Sequence, residues 1–155
     1  MFKIKNLILF ILISLFLNNC GYTPRYAENK NINFSLEVIN FSGDRDFNNS
    51  IKSKLKRYSK NKNVSEKNFK ISGVSKYYKI DNTKDSTGTA TEYKLRITVN
   101  FLIVSENLEK KIEMEETFVM KKMDDSFEES NYETTIKNNF ADLITEKLIF
   151  YLYQL

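Results

Sequence analysis

Cys20 is the only cysteine in 155 residues, and the residues before it decide what chemistry a lone thiol can do. Lys3 and Lys5 give a positive start, Leu7 to Leu17 form a short apolar run, and Leu17-Asn18-Asn19 leads into the cysteine. That is the layout of a bacterial lipoprotein signal, in which the cysteine becomes the site of a lipid anchor, although Asn19 stands where Gly, Ala or Ser is usual. The run is too short to cross a bilayer, which takes about 20 residues, so residues 1–19 read as a cleaved signal peptide. Gly21 follows the cysteine instead of the Asp that retains many lipoproteins in the inner membrane, so a lipid-anchored position on the periplasmic side of the outer membrane is expected.

Most other chemistry is excluded by what the chain lacks. There is no histidine, which removes the commonest general acid and base and the imidazole ligands of zinc, copper and haem. Ser-Lys or paired-carboxylate catalysis could still be assembled, but Ser, Lys, Asp and Glu are so abundant that such pairs arise by chance. The chain is therefore read as a non-enzyme with no cofactor and no metal. Loss of Lys3 and Lys5 with the signal lowers the formal charge from +4 to +2, which is not the balance of a nucleic-acid binder. One cysteine cannot make an intrachain disulfide, so packing must hold the fold.

The elements that must do so are legible from periodicity. A lipidated tether over 20–33 contains the only proline, Pro24, and a single domain is expected over 34–155. Phe34, Leu36 and Val38 alternate on one face of a strand ending near Phe41. Ser42-Gly43-Asp44 supplies a turn and a helix start, after which Phe47, Ile51, Leu55 and Tyr58 recur at helical spacing. The opposite face carries Lys52, Lys56 and Lys60 and reads as a solubilising surface.

Three more strands follow. Phe69 to Ile80 is β-branched and aromatic, with Gly73 marking a bulge or a close backbone approach. Tyr93 to Val104 alternates most cleanly, with Tyr93, Leu95, Ile97, Val99, Phe101 and Ile103 on one side and Lys94, Arg96, Thr98 and Asn100 on the other. Lys110 to Lys122 repeats the pattern through Ile112, Met114, Phe118 and Met120, with Glu116 as the one acid on the apolar side. Residues 81–90 are polar without an apolar anchor and predict a mobile hairpin tip. Ser130-Asn131-Tyr132-Glu133 fits a capping box, predicting a helix from there to the C-terminus with Tyr132, Ile136, Phe140, Leu143, Ile144, Leu148, Tyr151 and Leu152 as its stripe. The expected fold is an α+β two-layer sandwich in the order β-α-β-β-β-α, a four-stranded, mostly antiparallel sheet with two helices on one face.

Cys20-Gly21-Tyr22-Thr23-Pro24-Arg25-Tyr26 resembles the Cys-Gly-Phe-x-Pro-Leu-Tyr opening of the LptE family of lipopolysaccharide-assembly lipoproteins, of the alphaproteobacterial type. Val38-Ile39-Asn40-Phe41 with Asp44-Arg45 is similar to that family's first strand and helix. Tyr93-Lys94-Leu95-Arg96-Ile97, Ser130-Asn131-Tyr132 and Ala141-Asp142-Leu143-Ile144 resemble its third strand and final helix. The resemblance implies a plug and assembly partner of an LptD-like outer-membrane β-barrel, aiding insertion of lipopolysaccharide into the outer leaflet. It also implies cations that meet lipid A phosphates. The candidates are Arg96 and Lys94 on the wet face of the central strand, Lys76 and Lys79 on its neighbour, and Lys84 at the loop tip. Arg96 leads because its planar fork suits phosphate. Each also reads as ordinary solvated sheet surface, and Tyr77-Tyr78 reads either as surface for the barrel wall or as packing. An auxiliary lipoprotein of another envelope phospholipid-transport system is the alternative, and an apolar groove between helix and sheet would favour it.

Overall fold

Strict alternation gives a strand one apolar side, and the central strand carries it furthest. A computed structural model describes residues 34–59 and 67–155; the expected signal peptide, the expected tether and Cys20 lie outside the described residues. In it Leu95, Ile97, Val99, Phe101 and Ile103 are all 1% exposed or less. They belong to β3 (Ala90–Ser105), which pairs antiparallel with β2 (Lys67–Lys84) and with β4 (Leu108–Lys121). β1 (Phe34–Gly43) lies on the far side of β2 and runs parallel to it, giving the order β1-β2-β3-β4. A parallel pair needs a crossover, here α1 (Arg45–Leu55) with a short 3-10 turn at Lys56–Tyr58. The final helix, α2, spans Ser126–Tyr153. This is the expected α+β sandwich.

The core lies between the sheet and its two helices. α1 contributes Phe47, Ile51 and Leu55, each fully buried, and α2 contributes Ile136, Phe140, Ala141, Ile144, Leu148, Ile149 and Leu152. On β1 the expected alternation of Phe34, Leu36 and Val38 is offset by a bulge, because the register steps from Val38↔Ile71 to Asn40↔Ser72. The extra residue, Ile39, is 54% exposed, and the offset returns Phe41 to the core. Gly73 is a close approach and not a bulge, since a β-carbon there would sit 2.5 Å from the Phe41 ring. The fully buried Ser75 hydroxyl donates to Asn48 Oδ1 (2.8 Å) and accepts from the Asp44 amide (3.0 Å), binding the start of α1 to β2.

Three expectations need correction. α2 begins at Ser126, not at Ser130, because the Asp125 carboxylate accepts from the Phe127 and Glu128 amides and caps the helix a turn earlier. Its stripe is rotated from the expected one: Leu143 is 45% exposed and Tyr132 39%, while Ala141, Thr145 and Ile149 face inward. Half of the segment 81–90 is strand, since β2 continues to Lys84 and β3 starts at Ala90. What remains is a tight turn over Asp85–Thr89, in which the Asp85 carboxylate accepts from the Thr87 amide (2.8 Å), its hydroxyl (2.6 Å) and the Thr89 amide (2.9 Å). Those bonds, the Thr87 hydroxyl first, hold the Asp85 carboxyl below its ordinary range.

Two helices do not cover four strands evenly. On β4 only Met120 is buried among the apolar residues facing the helices; Ile112 and Met114 are half-buried and Phe118 is 39% exposed, with its ring against Tyr132. Glu116 sits among them on the apolar side, as its place in the alternation requires, and is ion-paired with Lys147 of α2.

Candidate lipid-facing surface

Residues directly opposite on neighbouring strands share a face, so register sorts the candidate cations without ambiguity. Lys76 pairs with Thr98, Tyr78 with Arg96 and Ile80 with Lys94, and all six lie on the face of the sheet opposite the helices. β4 extends the row, with Val119 beside Lys94, Thr117 beside Arg96 and Glu115 beside Thr98. No described element covers this face. Its apolar residues are accordingly exposed: Val74, Tyr78, Ile80 and Val119 each keep between 39% and 49% of their surface.

Arg96 is held by stacking, with its guanidinium carbon 4.9 Å from the centroid of the Tyr78 ring. Its Nε is buried and meets no acceptor. Among the described residues no carboxylate comes within ion-pairing distance of Lys76, Lys94 or Arg96, and the nearest acid in the row, Glu115, is hydrogen-bonded to Thr98 at 3.3 Å. The result is an amphipathic patch: three uncompensated cations set among aliphatic and aromatic side chains. Such a patch fits a ligand that carries phosphate next to hydrocarbon.

The other two candidates are placed differently. Lys79 is three positions from Lys76, and an odd offset along a strand reverses the face. It therefore lies opposite Leu95 on the helix side, bonded to Glu129 (2.7 Å) and Glu133 (3.0 Å) of α2 and 4.4 Å from the Tyr93 ring. Lys84 closes β2 instead of riding on a loop, and pairs at 3.1 Å with Asp81, both side chains largely in water. Such an exposed pair contributes little.

Around Lys79 is a polar cluster that the periodicity did not reveal. Tyr77, the helix-facing member of Tyr77-Tyr78, lies under Lys137 (4.1 Å to its ring), and Lys137 reaches Asp44 at 3.2 Å. One cation thus joins the N-cap of α1 to α2. Burial, followed by the nearby Glu133 carboxylate, raises the Tyr77 phenol above its ordinary range. Burial opposes the charge on Lys79, but Glu129 and Glu133 outweigh it and raise its pKa. Glu129 is lowered by its bond to Lys79 and then by the Met123 amide, which donates to it at 3.0 Å. Parity could have found Lys79; of the acids that meet it, Glu129 lies before the expected helix start and Glu133 inside the expected capping box.

The sign of the pH effect follows. A carboxylate held below its unfolded pKa stabilises the fold above that value and loses the contribution as pH falls through the folded one. Glu129→Gln is expected to lower stability at pH 7 and to flatten the decline of unfolding free energy as pH drops below about 4, measured by urea denaturation from pH 7 to 3. An unchanged acid limb would mean that the clamp carries no stability.

An open cleft of about 410 Å³ lies between the edge of β1 and α1, lined by Leu36, Val38, Ile39, Lys52 and Lys56 among others. It sits at the β1 edge of the sheet, where strand and helix meet, and mixes Leu36, Val38 and Ile39 with the cationic Lys52 and Lys56. Among the described residues no group of three or more Asp, Glu, His or Cys is placed to hold a metal ion, and no helix is long and apolar enough to cross a membrane.

Comparison with known proteins gives one family. Residues 33–152 match the family model described as lipopolysaccharide-assembly, LptE. The rare lipoprotein B from Shewanella oneidensis is similar in structure, at 12% identity and a TM-score of 0.57, over 76% of this chain and 98% of that one. An uncharacterized lipoprotein B from Nitrosomonas europaea aligns at 14% identity and 0.52, over 79% of this chain and 88% of the other. No curated protein matches. At such identities the two structures attest the fold, and the family model carries the assignment.

Proposed function

We propose, from the premise that the chain belongs to the LptE family of lipopolysaccharide-assembly proteins, that it acts in the cell envelope as the plug and assembly partner of an LptD-like outer-membrane β-barrel. Residues 1–19 are the signal that directs export, Cys20 is the acylated anchor, 20–33 the tether and 34–155 the working domain. Several acyl chains at about 0.8 kcal/mol per buried methylene hold a protein firmly where one holds it reversibly. No step of this role requires bond chemistry.

The observation that carries the reading is the uncovered sheet face, where Arg96, Lys94 and Lys76 stand unpaired among Val74, Tyr78, Ile80 and Val119. Lipid A has the matching chemistry, phosphates on a sugar headgroup above acyl chains. Lys84, already neighboured by Asp81, contributes at the margin. Lys79 is committed to Glu129 and Glu133 and serves packing.

The test is gentle detergent extraction of the native outer membrane through a C-terminal tag. Recovery of an LptD-like barrel with bound lipopolysaccharide is the expected result. Recovery without a barrel, or with inner-membrane export components, would overturn it in favour of another envelope lipid-transport system. Replacing Lys94 and Arg96 together by Ser is expected to weaken lipopolysaccharide binding by roughly tenfold or more, the loss of two charge-assisted contacts. Unchanged binding by the folded variant would remove this face from consideration.

A further inference from the structure

One end of the domain gathers the start of β1 at Phe34, the start of β2 at Lys67, the β3–β4 turn and the last turn of α2. Tyr153 packs edge-on against Phe34 with centroids 5.1 Å apart, which fixes the helix end to the strand start. On this pole Phe150 is 66% exposed and Tyr153 40%. Lys110 lies 5.9 Å from the Tyr151 ring, and Lys67 is exposed beside Phe34. Glu106, in the β3–β4 turn, and Glu109, at the start of β4, are acids among them. Half-immersed aromatics interleaved with long cationic stems are the composition of a surface resting at a membrane interface, where rings sit among headgroups and ammonium groups reach phosphate.

We infer that this pole docks on the headgroup layer of a phospholipid bilayer, with Phe150 as the inserted side chain. The inference rests on the Cys20 anchor proposed above. Phe34 is 14 residues beyond Cys20, and a chain of that length reaches at most about 50 Å. An anchor in the leaflet therefore keeps this end of the domain closer to lipid than the hairpin tip, which lies at the far end of β2. At such separations the tethered surface is present at about millimolar effective concentration, so a small aromatic contact suffices.

The chain has no tryptophan, which makes the test direct. Phe150→Trp and Phe127→Trp each place one reporter at an exposed site of α2, position 127 being 72% exposed and 23 residues distant, about 35 Å along the helix. The full lipidated chain is reconstituted into phosphatidylethanolamine–phosphatidylglycerol vesicles with brominated acyl chains, without barrel or lipopolysaccharide. Both variants are expected to float with the vesicles, with emission from position 150 blue-shifted and quenched several-fold more than that from position 127. Flotation with a water-exposed signal at 150 overturns the docking while leaving the anchor intact. Equal quenching at both positions overturns it too, since the contact would then not belong to one pole. Failure of both to float removes the anchor and the docking together.

Discussion

A chain cut after Thr135 is expected to give no cooperative urea or thermal transition. The cut removes Ile136, Phe140, Ile144, Leu148, Ile149 and Leu152, all 7% exposed or less, together with Ala141. At about 1.5–3 kcal/mol for each large side chain, the lost burial is roughly 9–18 kcal/mol. Domains have about 5–15 kcal/mol in total, so no margin survives. The cut also uncovers the inner sides of β2 and β3 and deletes Lys137, which ties α2 to the N-cap of α1 through Asp44. Far-UV circular dichroism along a urea titration decides the matter: a sigmoidal transition in the shortened chain would show that the sheet and α1 stand alone.

Gly43→Ala is the point substitution with the largest expected effect. Gly43 ends β1 with φ at +106°, and a β-carbon there would lie 1.8 Å from the Ser75 carbonyl oxygen. That oxygen is backbone in the paired strand, so relief requires β1 and β2 to separate where Ser75 also binds the Asp44 amide and Asn48. Backbone strain of about 1–3 kcal/mol adds to a clash of similar size, and a loss of about 3 kcal/mol or more is expected in urea denaturation. A loss under about 1 kcal/mol would mean that the crossover into α1 is looser than its hydrogen bonds imply. Gly73 meets only the edge of the Phe41 ring, a side chain that can turn aside, and its backbone needs no special dihedral.

The parts of this fold that could be read in the sequence are those in which burial imposes a period. β3 alternates without a fault from Tyr93 to Ile103 because its whole inner side is covered, and Phe47, Ile51 and Leu55 mark α1 because each is sealed in the core. Where burial stops, the signal stops. β2 and β3 run on past the helix layer to Lys84 and from Ala90 with both sides wet, so their last residues look like loop. The first turn of α2 was hidden similarly, because Phe127 faces water and only the Asp125 cap announces the helix. Strand order was beyond periodicity altogether, since the parallel β1–β2 pair depends on where α1 delivers the chain.

The candidate site divides along the same line. Lys94, Arg96 and Lys76 were legible because β3 fixes its own faces and Lys76 alternates with the buried Phe69, Ile71 and Ser75 of β2. Lys79 required counting the offset from Lys76, which separates the two by face. Lys84 lies beyond two register shifts, at Asp81/Thr83 and Thr83/Lys84, that dissolve the count. The stacking of Arg96 on Tyr78 is a cross-strand contact, visible only once the register is known.

The length of β2 also fixes a distance. Eighteen residues from Lys67 to Lys84, at about 3.3 Å each, make a rod of roughly 59 Å, whereas a bilayer with its headgroups is about 40–45 Å thick. A domain docked by its Phe34 end on a leaflet, with β2 directed along the membrane normal, holds the Asp85–Thr89 turn farther from that surface than the bilayer is thick. The hairpin is then a ruler, and its polar, self-bonded tip stands in water.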